Sequence, residues 1–214
     1  MSAANALERA RLYAILDLAY VAQGTAESVA GDLIRGGADL IQLRGKKLSR
    51  EELTDLAGRL HRLTSSARVP LVINDHPEIA RDLPLEGLHL GQDDLGIEAA
   101  RAIVGRDCWI GKSTHSLAQA TAAVAERADY IGFGPVFATP TKPDYEPIGT
   151  DDIRRVHELV DRPIFCIGGI KAENVAAVLA AGAKRVVIVS GLLQRSDVAA
   201  ATRAAKALLT RSEI

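Results

Sequence analysis

The feature that most constrains the fold of this 214-residue chain is a regular alternation of two kinds of segment. Short apolar runs alternate with longer, alanine-rich stretches in which apolar residues recur every three or four positions, as on one face of an α-helix. Most of the short runs are apolar throughout, which is typical of strands buried on both faces. They read LYAILDL (12–18), DLIQLR (39–44), PLVIN (70–74), GLHLG (87–91), CWIG (108–111), DYIGFG (129–134), PIFCIGG (163–169) and RVVIVSG (185–191).

Short strands separated by helical stretches, about one strand per 25 residues and with no long linker, predict parallel βαβ units. Eight such units close into a (β/α)₈ TIM barrel, so we expect one domain over residues 1–214, with a short lead-in at about 1–10. The alternative is an open, doubly wound sheet, but the number of strands and the glycines that end strands 7 and 8 favour the barrel. Helix-end signals agree with this, because Ser49 and Glu52 match a capping box and Gly36-Gly37 stands where a helix should end.

Composition excludes several classes of protein. The formal charge is −1 and 25% of the residues are charged, which favours neither a nucleic-acid-binding protein nor a disordered chain. No apolar run reaches the roughly 18 residues of a membrane span. The two cysteines, Cys108 and Cys166, lie in separate apolar runs, as expected of buried thiols. We therefore expect a cytoplasmic protein that binds neither nucleic acid nor membrane, and the sequence leaves open whether it forms a homo-oligomer.

Two carboxylates follow neighbouring strands of the predicted barrel, at the end where ligand-binding side chains collect. Asp75 follows strand 3, and Asp93 and Asp94 follow strand 4. Two carboxylates completed by water and phosphate oxygens are typical of a Mg²⁺ site, and we predict that Asp75 and Asp94 form it. The alternative is that Asp75 and either Asp93 or Asp94 only cap the helices that follow.

Positive charges lie at the same predicted rim. Arg44, Lys46 and Lys47 follow strand 2, and Lys142 lies in the loop after strand 6 beside two threonines. Lysine and arginine there would suit an anionic substrate and would offset the charge of a departing diphosphate. The alternative is a solvated basic loop.

Small residues end the last two strands, with Gly168-Gly169 after strand 7 and Ser190-Gly191 after strand 8. In barrels of this type these loops offer backbone N–H groups to a phosphate. The alternative is that these glycines serve packing alone. The two rims together predict two substrates, of which one carries a diphosphate on Mg²⁺ and the other a monophosphate.

Seven strings at these strand ends occur in the order found in the thiamine phosphate synthase family, which the chain resembles over nearly its whole length: QLRGK, IND, HLGQDD, STHS, GPVFATPTK, IGGI and VSG. The resemblance implies a TIM-barrel transferase that uses one Mg²⁺ per subunit. Its substrates would be 4-amino-2-methyl-5-hydroxymethylpyrimidine diphosphate and 4-methyl-5-(2-phosphoethyl)thiazole, and its products thiamine phosphate and pyrophosphate. The implied mechanism is dissociative, because the diphosphate leaves before the thiazole nitrogen attacks the pyrimidine methylene cation.

The resemblance also implies roles for individual residues. Asp75 and Asp94 would be the Mg²⁺ ligands, and the catalytic residues would be Lys46, Ser113 and Lys142. The implied contacts of the pyrimidine diphosphate are Gln42, Leu43, Arg44, Gly45, Lys46, Asn74, Ser113 and Lys142. The implied contacts of the thiazole phosphate are Thr139, Pro140, Thr141, Gly169, Val189 and Ser190.

The chain departs from the usual family strings at Gly45, His76 and Lys112, and its first strand ends in LDL where TD is common. Two other hypotheses stay open. A related thiazole tautomerase would need neither the metal pair nor a diphosphate-binding lysine, and a non-catalytic protein could simply bind a phosphorylated ligand. His89 either faces the barrel mouth or is a hydrogen-bonded core histidine, and the sequence assigns no catalytic histidine.

Overall fold

The computed structural model describes residues 3–139 and 146–210, and in it the eight predicted strands form one closed parallel barrel. Each strand pairs with the next along the chain, and the first pairs with the last through Leu12 beside Val186. The predicted (β/α)₈ barrel is therefore confirmed and the open sheet is wrong. The strands are β1 (Leu12–Asp17), β2 (Leu40–Arg44), β3 (Leu71–Asn74), β4 (Gly87–Leu90), β5 (Trp109–Thr114), β6 (Tyr130–Phe133), β7 (Ile164–Cys166) and β8 (Val186–Ile188).

Helices surround the barrel and connect its strands. Ser49 and Glu52 form the predicted capping box of α3, and Gly37 follows α2 in a left-handed conformation. None of the helices in the described part of the chain has the length and apolarity that a membrane span requires. The helices are α1 (Ala3–Arg9), α2 (Ala26–Gly36), α3 (Arg50–Ala67), α4 (Pro77–Asp82), α5 (Ile97–Val104), α6 (Leu117–Ala125), α7 (Ile153–Leu159), α8 (Val175–Ala180), α9 (Ser190–Leu193) and α10 (Val198–Thr210).

The last two strands are shorter than the apolar runs predicted. β7 ends at Cys166 because Gly168 and Gly169 adopt φ values of 100° and 64°, which no extended strand has. β8 ends at Ile188 because α9 begins at Ser190. The shortened strands bring backbone, rather than side chains, to this part of the barrel rim.

The barrel divides its apolar residues between two cores. Side chains that point inward, including Tyr13, Tyr130 and Phe165, fill the barrel and pack edge to face with ring centroids 5.3 to 6.0 Å apart. Side chains that point outward pack against the helices in a larger layer. Because successive residues of a strand face opposite sides, most strands contribute to both cores; β4 contributes apolar side chains only to the outer one.

Both cysteines are buried and neither forms a disulfide. Burial raises the pKa of each thiol to about 12. The interpretation of Cys108 and Cys166 as buried thiols is therefore confirmed.

We expect the native protein to resist a thiol reagent at pH 8, since burial blocks access and keeps both thiols protonated. Release of the coloured thiolate of Ellman's reagent measures this directly. Both cysteines should react fully in guanidinium chloride, and fast reaction of either one in the folded protein would contradict the burial.

Gly111 of β5 leaves the space that the ring of Tyr130 fills. A Cβ atom added at Gly111 would lie 2.0 Å from the Cζ atom of Tyr130, whose side chain is fully buried. We expect Gly111→Ala to lower the free energy of unfolding by about 1 to 3 kcal/mol or more, because the ring has to move within a close-packed core. Urea unfolding followed by circular dichroism measures the change.

Gly24→Ala is the matched control, since no heavy atom lies within 4 Å of a Cβ built there. Its effect should stay within about 0.5 kcal/mol. Equal stabilities for the two variants would show that the barrel interior accommodates the extra methyl group.

Candidate active site

A cavity opens at the carboxyl ends of the strands and encloses about 800 Å³, part of it open to solvent. Inward-pointing side chains form its floor, and the loops that follow the strands form its rim. Its described lining comprises Ile15, Asp17, Gln42, Arg44, Asn74, His89, Ser113, Thr114, His115, Gly132, Gly134, Pro135, Thr139, Ile167, Gly168, Gly169, Ile170, Val187, Val189 and Ser190.

Asp75 and Asp94 follow β3 and β4 beside Asn74 of the cavity lining, and their carboxyl groups are close enough to shift each other's pKa. Asp75 has a left-handed backbone with φ 66°, and its N–H donates to the His89 carbonyl over 2.9 Å. Asp94 accepts a hydrogen bond from the Gly91 N–H at 2.6 Å. Neither residue caps a helix, because α4 starts after His76 and α5 after Gly96, both without a side-chain cap. The helix-cap alternative is therefore wrong for both.

The two carboxyl groups respond to each other electrostatically. Partial burial, and then the neighbouring Asp94, raise the pKa of Asp75. Partial burial acts in the same direction on Asp94, but the hydrogen bonds from Asp75 and Gly91 and the nearby Lys46 and Lys112 outweigh it and lower its pKa. Two carboxylates this close repel one another when both are ionised, so a proton or a cation stabilises the pair.

Lys46 supplies one such positive charge. Its Nζ atom lies 3.0 Å from Oδ2 of Asp75, although 57% of the lysine side chain is exposed. Lys112 supports the same edge from beneath, because it is buried and donates from Nζ to the Gly91 carbonyl at 2.7 Å. The carboxylate pair is thus flanked by one mobile and one buried ammonium group.

Arg44 faces the cavity at the end of β2 and is held by Asp17, a residue that the sequence analysis did not select. Oδ2 of Asp17 accepts from Nη1 of Arg44 at 2.6 Å, and its Oδ1 accepts from the Ala19 N–H at 2.9 Å. Only 2% of the Asp17 side chain is exposed. The signal was available in the sequence, because Asp17 is a charged residue inside the first apolar run.

A chain of polar side chains crosses the barrel beneath the cavity. Gln42 contacts Tyr13, Tyr13 contacts Tyr130, Tyr130 contacts His89 and His89 contacts Ser113, with distances of 2.7, 3.1, 3.1 and 3.0 Å. His89 therefore both lines the mouth and is hydrogen-bonded in the interior, so each sequence alternative holds in part. Tyr13 and Tyr130 were missed because aromatic residues in a strand look like ordinary core residues.

Strands β7 and β8 contribute a different rim, which is made of backbone and small side chains. Gly169, Val189 and Ser190 line the cavity there, and Thr139 approaches from the loop after β6. A Cβ atom at Gly169 would lie 2.6 Å from the Ala138 carbonyl oxygen, so these two loops are in close contact. Small residues of this kind let an anion approach backbone N–H groups closely.

The remaining predicted residues divide into three groups. Asn74 lines the cavity at the end of β3. Leu43 points into the layer between barrel and helices, and a Cβ at Gly45 would meet Leu53 and Leu18, so neither directs a side chain at the mouth. Pro140, Thr141 and Lys142 lie outside the described residues.

Comparison with known proteins identifies the family. The family model described as thiamine monophosphate synthase matches residues 12–192. The chain is 40% identical over 201 residues to the thiamine-phosphate synthase of Chloroflexus aurantiacus, a match covering 94% of this chain and 93% of that protein. It is 42% identical over 189 residues to the thiamine-phosphate synthase of Halalkalibacterium halodurans, with 88% and 90% covered.

Solved structures agree with these sequence matches. The thiamine phosphate pyrophosphorylase of Pyrococcus furiosus superposes with a TM-score of 0.89 at 29% identity, and the match covers 99% of each chain. A 3-hexulose-6-phosphate synthase superposes with a TM-score of 0.69 at 18% identity and shares the fold alone. On the strength of the family match and of relatives aligned over nearly their full length, this chain belongs to the thiamine monophosphate synthase family of transferases.

Proposed function

We propose that this protein joins 4-amino-2-methyl-5-hydroxymethylpyrimidine diphosphate to 4-methyl-5-(2-phosphoethyl)thiazole, with Mg²⁺, to give thiamine phosphate and pyrophosphate. The observation that carries the proposal is the contact between Asp75 and Asp94, with Lys46 beside them. Such a group suits a diphosphate held on a divalent cation, and it adjoins Asn74, which lines the same cavity as the small residues at the ends of β7 and β8.

The donor set fits Mg²⁺ better than a softer metal. The paired groups are both carboxylates, and both cysteines are buried away from them as protonated thiols. Among residues 3–139 and 146–210, no cluster of three or more histidine, cysteine, aspartate or glutamate side chains could hold a metal by itself. Two protein ligands would leave the other positions to water and phosphate oxygens. When bound, Mg²⁺ would neutralise charge on the diphosphate.

The cationic side chains of the mouth act on the leaving diphosphate. Arg44, fixed by Asp17, offers a guanidinium group to phosphate oxygens, and Lys46 can leave Asp75 for the same oxygens because its side chain is largely exposed. Ser113 would add a hydroxyl group, and Lys142 would add a further positive charge. Charge that builds up on the departing diphosphate is thereby stabilised, which favours a dissociative reaction.

The opposite rim would hold the second substrate by its phosphate group. Gly169, Ser190 and Thr139 line this part of the cavity, and the small residues would let an anion approach the backbone N–H groups there. Thr141 and Pro140 would belong to the same pocket. Anchoring the thiazole phosphate there would hold its ring nitrogen near the pyrimidine methylene carbon, which lowers the entropic cost of the encounter.

The two other hypotheses explain less of the site. A thiazole tautomerase has no use for a carboxylate pair with an adjacent lysine on the diphosphate side. A non-catalytic binder of thiamine phosphate would not need a polar rim on both sides of an open cavity. Each predicts no pyrophosphate release from the two substrates, and this outcome in the wild-type protein with Mg²⁺ would overturn the proposal.

We expect Asp75→Asn and Asp94→Asn each to reduce Mg²⁺-dependent formation of thiamine phosphate by at least about a hundredfold, because each change removes a charged metal ligand. Asparagine tolerates the left-handed backbone at position 75 and keeps an acceptor for the Gly91 N–H at position 94. The measurement is a product assay with both substrates, with and without Mg²⁺.

The thermal midpoint of Asp75→Asn should equal or exceed that of the wild type, because the raised pKa of Asp75 shows that its charge is unfavourable in the fold. The midpoint of Asp94→Asn should be slightly lower, because the lowered pKa of Asp94 shows that its charge is stabilised there, but the variant should still unfold cooperatively. This separates loss of function from loss of fold. Near-normal pyrophosphate release from either variant would contradict the metal assignment.

We expect Lys46→Met to bind Mg²⁺ roughly two to five times more tightly than the wild type in the absence of substrate, since Asp75 loses a competing ion-pair partner. The same variant should bind inorganic pyrophosphate more weakly. Titration calorimetry measures both affinities.

Lys47→Met is the matched control, because it removes the same charge from the same exposed loop, and Lys47 makes no ion pair with a described residue. An equal gain in Mg²⁺ affinity in the two variants would show that the loss of a positive charge from the loop, rather than the loss of the contact with Asp75, is responsible.

A further inference from the structure

The first hydrogen bond of the polar chain beneath the cavity can run in only one direction. At one end the amide Nε2 of Gln42 lies 2.7 Å from the hydroxyl oxygen of Tyr13. An amide nitrogen only donates hydrogen bonds, so this hydroxyl oxygen is the acceptor. The hydroxyl proton of Tyr13 therefore points away from Gln42.

The hydrogen bond between the two tyrosine hydroxyl groups runs in the same donor-to-acceptor direction. The hydroxyl oxygens of Tyr13 and Tyr130 are 3.1 Å apart, and both side chains are fully buried. A buried hydroxyl proton needs an acceptor, and Tyr130 provides the one for Tyr13. Burial also raises the pKa of both phenols well above the ordinary value, so both keep their protons. Tyr130, having accepted from Tyr13, donates to Nδ1 of His89 at 3.1 Å.

His89 then has a defined tautomer. Because Nδ1 accepts from Tyr130, the ring proton is on Nε2, and this N–H donates to the hydroxyl oxygen of Ser113 at 3.0 Å. A doubly protonated ring would direct a second donor at the Tyr130 oxygen and leave the Tyr130 proton without an acceptor. The neutral ring with its proton on Nε2 satisfies every member of the chain.

The last member is Ser113, which lines the cavity at the end of β5. Its oxygen accepts from His89, so its own proton is free to be donated into the cavity. A hydroxyl group with this orientation suits an anionic oxygen, whereas one that donates to His89 would present lone pairs and repel it.

We propose that Tyr13, Tyr130 and His89 are positioning residues that make the Ser113 hydroxyl an obligate hydrogen-bond donor to the diphosphate of the substrate. The proposal rests on the proposed function for the identity of the anion. The direction of the hydrogen bonds is independent of it and follows from the distances and the donor chemistry.

The first test is the tautomer of His89 in the free protein, measured by nitrogen-15 NMR of the imidazole and assigned by the loss of its signals in His89→Gln. We expect a protonated Nε2 and an unprotonated, hydrogen-bonded Nδ1. In Tyr130→Phe the Nδ1 signal should move to that of a nitrogen without a donor. A wild-type ring protonated on Nδ1 would reverse the chain and overturn the proposal.

The second test is the affinity for inorganic pyrophosphate in the presence of Mg²⁺, measured by calorimetry. We expect Ser113→Ala to weaken binding roughly tenfold, because it removes a hydrogen bond to a charged acceptor. We expect Tyr130→Phe to weaken binding by a similar factor, because the Ser113 hydroxyl is then free to donate to His89 instead of to the anion. In the Ser113→Ala background, Tyr130→Phe should have no further effect. Additive losses would show that Tyr130 acts on the fold rather than through Ser113, and would overturn the proposal.

Tyr20→Phe is the matched control, because it removes a tyrosine hydroxyl that belongs neither to the chain nor to the described lining of the cavity. It should keep the wild-type affinity. If the wild-type protein binds no pyrophosphate with Mg²⁺, the proposed function fails at this mouth, whereas the NMR result still decides the direction of the chain.

Discussion

Closure of the parallel barrel is the constraint on which the site depends. The pairing of β1 with β8 completes a ring in which all eight strands run in the same direction. Side chains from strands that are not neighbours, such as Tyr13 of β1 and Tyr130 of β6, thereby meet inside the barrel. An open sheet would bring together only the ends of neighbouring strands, and the chain of side chains from Gln42 to Ser113 could not cross it.

The mouth combines two chemically different sides. Charged side chains at or after the ends of β2, β3, β4 and β5 make one side, where Lys46 and Lys112 flank a pair of carboxyl groups. Backbone and small residues from β7 and β8 make the other, where the short strands leave loops in close contact with the loop after β6. The charged side is costly to assemble without a ligand, because it brings together carboxyl groups that repel. Such local instability is common at functional sites.

The sequence predicted the barrel and the position of Asp75 and Asp94, because strand ends and charged residues are both visible in a linear chain. It did not predict Tyr13 and Tyr130, since a buried tyrosine in a strand has the same pattern as any core residue and its hydroxyl partner lies on another strand. Asp17 was overlooked for a related reason, although its charge inside an apolar run marks it. The outward direction of Leu43 and Gly45 could have been predicted, because successive residues along a strand face opposite sides and Gln42 and Arg44 face the mouth. The predicted lengths of β7 and β8 were too long, because an apolar run does not reveal where the backbone turns, as it does at Gly168.

The lack of a side chain at Gly111 limits how this site could evolve. Gly111 and Ser113 are alternate residues of β5, so both face the barrel interior, and the ring of Tyr130 fills the space above the glycine. The hydroxyl that this ring carries reaches His89, and His89 reaches Ser113. Gly111 and Ser113 therefore depend on each other: Gly111 leaves space for the ring of Tyr130, and Ser113 carries the hydroxyl group that Tyr130 and His89 orient. A barrel that acquired the serine without the glycine would have the functional group but no room for the tyrosine that orients it.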